Sequence, residues 1–178
     1  MAPLNARQQP RPIVLVLTQT LGFHHTSIPW AARALRRIAA RDRHYRLVFL
    51  SGAASLRPAL LKHAGAVVFL LTSGELLFRP FQKHALITYV HEGGGLIGFH
   101  SATDTFHHWP GYLAMIGAEF SHHPAPSTEQ LVVEDRGTPM TQALPRSFAI
   151  HEEFYVFKHD PRPLVHVLAR LNTPNGHP

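Results

Sequence analysis

Apolar residues along this chain fall into short unbroken runs separated by stretches of helical period, and the alternation predicts an α/β fold. The run PIVLVLTQ, residues 12–19, has no polar alternate, which predicts a strand covered on both faces, as in a parallel sheet. Ser27 and Pro29 then open a helix, with Ser27 as N-cap and Pro29 in the first turn, where no donor is lost. Within IPWAARALRRIAAR the spacing puts Trp30, Ala34, Leu35 and Ile38 on one face, which reads as core. YRLVFL (45–50) predicts a second strand, SLRPALLKHA a short helix and GAVVFLL (65–71) a third strand. A helix follows from about Pro80 to His91; Gly93 to Gly95 stop it, and GLIGF is the fourth strand.

Beyond Trp109 the pattern is less regular. PGYLAMIGAEF predicts a short helix with Pro110 in its first turn, and TEQLVVED (128–135) alternates as a strand should. SFAIHEEFYVFKHD and PLVHVLARLN add two strand-like segments, expected as antiparallel additions to the sheet. Strands alternating with helices predict a doubly wound, mostly parallel sheet with helices on both faces. In such sheets the ligand lies beyond the carboxyl ends of the strands. GFHHTS follows the first strand, TSGE the third and HSATDT the fourth, so three polar loops are expected on one rim.

Composition narrows the chemistry. The 178 residues are 45% hydrophobic, enough for one domain, expected over 12–178 after a flexible lead-in at 1–11. The absence of cysteine excludes disulfides, thiolate nucleophiles and Cys-based zinc sites, so any metal must be held by His, Asp or Glu. No apolar run approaches the roughly 20 residues of a membrane helix, and the opening MAPLNARQQPRP has no signal-type apolar region. The expectation is a cytoplasmic protein without a membrane partner. The net charge of +6 gathers largely in Arg33, Arg36, Arg37, Arg41, Arg43 and Arg46, which reads as a solvated helical face rather than a nucleic-acid footprint.

The fifteen histidines carry more information, because those at 24/25, 100, 107/108 and 122/123 follow predicted strand ends. His100 and Ser101 stand at the strand-to-helix turn where some α/β enzymes carry a nucleophile, but GFHSA is not GxSxG. On an extended strand end their side chains are expected to point apart, which weakens a Ser/His hydrolase. The other possibility is metal-assisted or general acid/base chemistry: His25, His100, His123, Glu75, Asp104, Glu152 and Glu153 can all supply ligands or move protons. Asp104 as a helix cap, Glu75 as a solvated carboxylate, His107 and His108 as peripheral residues and Tyr155 as core are the plainer roles.

The ordered set GFHHTSIP, TSGE, FQKHALITYVHEGGGLIGFHSATDT, WPGYLAMIGAEFSHHP and EEFYVF resembles the ThuA-like (trehalose utilisation) family across residues 12–170. The resemblance implies a flavodoxin-like fold akin to class I glutamine amidotransferases, with His100 where those relatives carry a catalytic cysteine. Thiol-dependent glutamine hydrolysis is thereby excluded. It implies a sugar-utilisation role, with a disaccharide or keto sugar as substrate and a hydrolase, lyase or isomerase type of reaction. The alternative is a non-catalytic sugar-binding or interaction module.

Carried over by position, His100, Asp104 and Glu153 are the expected catalytic residues. His25, Glu75, Ser101, His123 and Tyr155 are expected to bind substrate, and His25, His100 and His123 are the expected ligands of a divalent metal such as zinc. The chain departs from the family at His24, Glu152 and Gly137-Thr138-Pro139, and it ends where members continue into a further strand and helix. A sheet edge left open by that ending would favour a homo-oligomer.

Overall fold

The structure, a computed structural model, describes residues 11–42 and 44–172. The expected lead-in therefore lies, apart from Arg11, outside the described residues. The chain divides into two compact units, one ending at Ile116 and the other beginning at Gly117.

The first unit is built on a parallel sheet of β1 (Ile13–Leu17), β2 (Arg46–Phe49), β3 (Ala64–Leu70) and β4 (Gly95–Phe99), in the order β2-β1-β3-β4. Register explains why β1 and β3 have no polar alternate. Leu15 and Leu17 lie beside Val67 and Phe69 and face one core; Val16 lies beside Val68 and faces the other. Helices α1 (Ile28–Arg41), α2 (Pro58–Leu61), α3 (Pro80–His91) and α4 (Pro110–Ile116) complete the unit. Part of the first core is an aromatic cluster of Phe69, Phe78, Phe106, Trp109 and Tyr112, with adjacent ring centroids 5.0–6.5 Å apart. This is the α/β, mostly parallel arrangement that the hydrophobic pattern predicts. No helix among the described residues is long and apolar enough to cross a membrane.

Two local expectations are corrected. Ser27 stands at the N-cap of α1 but makes no side-chain capping bond, because its own backbone is already helical and Pro29 sets the first turn. The face of α1 read as core is not the one buried. Ile28 and Ala32 pack on the sheet with Leu35 beside them, while Trp30 is 67% and Ile38 53% exposed. Arg33, Arg37 and Arg41 lie on or beside the Trp30 arc, so the polar half of the period marks the opposite arc as the buried one.

The second unit is antiparallel. β6 (Ser127–Val133) is flanked by β7 (Ser147–Glu152) and β9 (Ala169–Leu171), and β5 (Phe120–His122) pairs with β8 (Val156–Phe157). The antiparallel strands expected near the C-terminus are present, in sheets of their own rather than as additions to the parallel one. Glu134 bridges Arg162 and Arg170 in this unit, and its bond to Arg162 holds the carboxyl below the usual carboxylate range. A depressed folded-state pKa contributes stability above the unfolded value, and that contribution is lost as pH falls through the folded one.

Candidate functional site

In the order β2-β1-β3-β4 the winding of the sheet reverses between β1 and β3, and in open parallel sheets ligands bind beyond the carboxyl ends of the strands at such a switch point. Three loops meet there, tied by backbone. Ser73 accepts from Leu21 N–H at 2.9 Å, and its hydroxyl donates to the Phe23 carbonyl at 2.6 Å. Gly74 N–H donates to the Asp104 carbonyl at 2.8 Å, and Phe106 N–H donates back to Gly74 at 3.2 Å. Ser73 and Gly74 thus clamp the loop after β1 to the loop after β4. The same segment also has a role in burial, since Thr72 and Ser73 are fully buried.

The clamp brings His25 and His100 together across 75 positions of sequence. Their Nε2 atoms lie 3.1 Å apart, with ring centroids 4.7 Å apart at 76°. The edge of Phe23 packs on the other side of His25, also at 4.7 Å. Fully buried Ser101 places its hydroxyl 3.4 Å from Nδ1 of His25. The expectation that His100 and Ser101 point apart is therefore overturned. His100 adopts φ +51°, and a 3-10 helix over His100–Asp104 begins at once, so both side chains turn toward one imidazole. A left-handed backbone at a non-glycine residue costs about 1–2 kcal/mol, a strain found mostly where side-chain placement matters.

Two carboxylates of these loops are each engaged by a histidine. Asp104 bonds Nε2 of His107 at 2.9 Å, and Glu75 accepts from the backbone N–H of His108 at 3.1 Å and bonds its Nδ1 at 3.0 Å. His107 and His108, read as peripheral, are thus the partners of two assigned acids. The three-residue spacing of Asp104 and His107 was the available signal. Sequence reading also missed Tyr112, whose buried hydroxyl donates to the Ala102 carbonyl at 2.8 Å and holds the 3-10 helix from beneath.

Burial pushes the Tyr112 phenol well above its usual range. The neutral form therefore stabilises the fold fully below about pH 10, and that contribution is lost as pH rises further. Tyr112→Phe is expected to cost about 1–2 kcal/mol by leaving the Ala102 carbonyl unpaired. Urea denaturation checks this, together with a flatter stability profile above pH 10.

Within the second unit, His123 stacks on Tyr155, with centroids 5.8 Å apart at 12°, and Phe120 packs on Tyr155 at 4.2 Å. Nδ1–H of His123 donates to the Pro124 carbonyl at 2.8 Å, which leaves Nε2 as the nitrogen with a lone pair. Glu153 follows directly after β7, its N–H bonded to the Glu152 carboxylate at 2.9 Å.

Comparison with known proteins fits this architecture. The sequence model of the ThuA family, described as trehalose utilisation, matches residues 13–178. A ThuA-like protein of Bacteroides uniformis superposes with a TM-score of 0.75 at 24% identity, over 97% of this chain and 72% of that one. A ThuA-like protein of Parabacteroides merdae gives 0.71 at 14%, over 93% and 70%. A GMP synthase component from Thermoplasma acidophilum gives 0.52 at 12%, over 92% and 75%, which extends the likeness to an amidotransferase-type fold. No curated protein matches significantly.

Proposed function

Because the chain belongs to the ThuA family of trehalose utilisation, we propose that it is a carbohydrate-utilisation enzyme acting on a disaccharide or keto sugar at the His25–His100 pair. The observation that carries this reading is the backbone of His100: a strained residue at the carboxyl rim holds an imidazole nitrogen 3.1 Å from a second one. A purely structural turn would take glycine there at lower cost.

The pair suits a divalent ion such as zinc. Nitrogens bound at 2.0–2.1 Å to a tetrahedral ion lie about 3.3 Å apart, close to the observed separation. When bound, the ion would polarise a sugar carbonyl or hydroxyl as a Lewis acid. His25 and His100 would hold it through Nε2. The Ser101 hydroxyl would accept Nδ1–H of His25 and so fix the tautomer whose Nε2 carries the lone pair. Without metal, one Nε2–H donates to the other Nε2, and a substrate hydroxyl that displaced that donor would meet a lone pair able to act as its base. Asp104 with His107 is a further carboxylate–imidazole couple able to exchange a proton. The assignments of Glu153 to proton exchange and of Glu75, His123 and Tyr155 to substrate rest on the motif match.

The test is incubation with an unmodified disaccharide and with its keto derivative, after chelation and after zinc reconstitution, with products followed by mass spectrometry and binding by calorimetry. Conversion that falls at least about a hundredfold in His100→Ala, with unchanged circular dichroism, supports the enzyme. Binding without conversion replaces it by a sugar-binding module. Neither binding nor conversion overturns both.

A further inference from the structure

The outward face of α1 carries two parallel rows four residues apart. Trp30, Ala34 and Ile38 form an apolar row, and Arg33, Arg37 and Arg41 a cationic row beside it. All six residues are exposed, Trp30 by 67%. At 1.5 Å per residue each row runs about 12 Å, a little over two helical turns. The sheet-facing arc of the same helix is occupied by Ile28, Ala32 and Leu35, so this second apolar row contributes nothing to the core. Its neighbours are arginines that no carboxylate neutralises among the described residues, and α1 itself contains no acidic residue. The Arg33 guanidinium already lies 5.0 Å over the Trp30 ring. Arg36, by contrast, is drawn over Phe49 at 3.9 Å and faces away from the two rows.

We propose that this face of α1 docks an acidic amphipathic helix of another protein. An apolar row flanked by one continuous cationic row is complementary to a partner helix with an apolar row flanked by carboxylates, ridge into groove. Trp and Arg are also the side chains most often found as anchors at protein interfaces. A second copy of this chain is a poor occupant, because α1 against α1 sets arginine against arginine and α3 carries no carboxylate between Pro80 and His91. A nucleic acid would use the cations and one ring but leave the row through Ala34 and Ile38 without an apolar counterpart.

The probe is a synthetic 14-residue helix with leucine at every fourth position and glutamate beside each leucine, titrated by calorimetry into the whole protein. A composition-matched peptide with the order scrambled and a 12-nucleotide single-stranded DNA are titrated in parallel. The ordered peptide is expected to bind at least about tenfold tighter than either. Arg37→Glu is expected to weaken it at least about tenfold, and Trp30→Ala similarly, whereas Arg36→Glu changes it less than about threefold. Thermal melts confirm that the exposed substitutions leave the fold intact. Equal binding of ordered and scrambled peptides, tighter binding of the DNA, or equal loss in the Arg36 and Arg37 variants would each overturn the proposal. Because these probes need no sugar turnover, the outcome is independent of the proposed catalytic site.

Discussion

Replacing His100 by glycine is expected to remove sugar conversion and yet give a protein about 1 kcal/mol more stable than the alanine variant at the same position. Both substitutions delete the imidazole that faces His25. Only alanine keeps a Cβ on a backbone at φ +51°, so the difference between the two isolates the strain from the side-chain contact. The measurement is the urea midpoint of both variants beside their turnover of a keto disaccharide, where a loss of about a hundredfold or more is expected in each. Equal midpoints would mean that the strain is absent. Retained turnover in either variant would remove the histidine pair from the reaction.

The second large effect concerns a residue with no functional group. Gly74→Ala is expected to destabilise by about 2–4 kcal/mol and to abolish whatever His25 does. A Cβ on Gly74 would stand 2.4 Å from the backbone nitrogen of Gly22 and 2.8 Å from the carbonyl carbon of Leu21, at φ +76°. Neither obstacle is a side chain that can rotate away, so the loop after β1 must move and take His25 from His100. Gly93→Ala is the control. It has a similar left-handed backbone, φ +94°, but open space around it, so it is expected to cost only about 1 kcal/mol and to leave the site intact. Thermal melts of both variants, with zinc titration as the readout of the site, separate crowding from backbone strain. Equal melting points for the two would show that the loops are not in close contact at Gly74.

Much of the first unit was legible because the relevant forces act at short range. The unbroken apolar runs at β1 and β3 report burial on both faces, and the helix from Pro80 to His91 is bounded by a proline and a glycine whose backbone preferences are intrinsic. The rim was legible for the same reason, since strand ends could be located and polar loops counted after them. Trp30 and Ile38 show where reading apolar positions alone fails: the arginines beside them, not their own spacing, mark their arc as the solvated one.

By itself, then, the sequence determined the parallel α/β frame, the exclusion of thiol chemistry and the repertoire of imidazoles and carboxylates at one rim. Those properties follow from composition and from local hydrophobic period. Only the tertiary structure decided that His25 meets His100 through Nε2, that buried Ser101 holds the far nitrogen, and that Asp104 and Glu75 take His107 and His108 as partners. Such pairings depend on one left-handed residue and on a backbone clamp between loops distant in sequence. No short-range preference encodes either, because a non-glycine residue enters the left-handed region only when the surrounding fold compensates its cost.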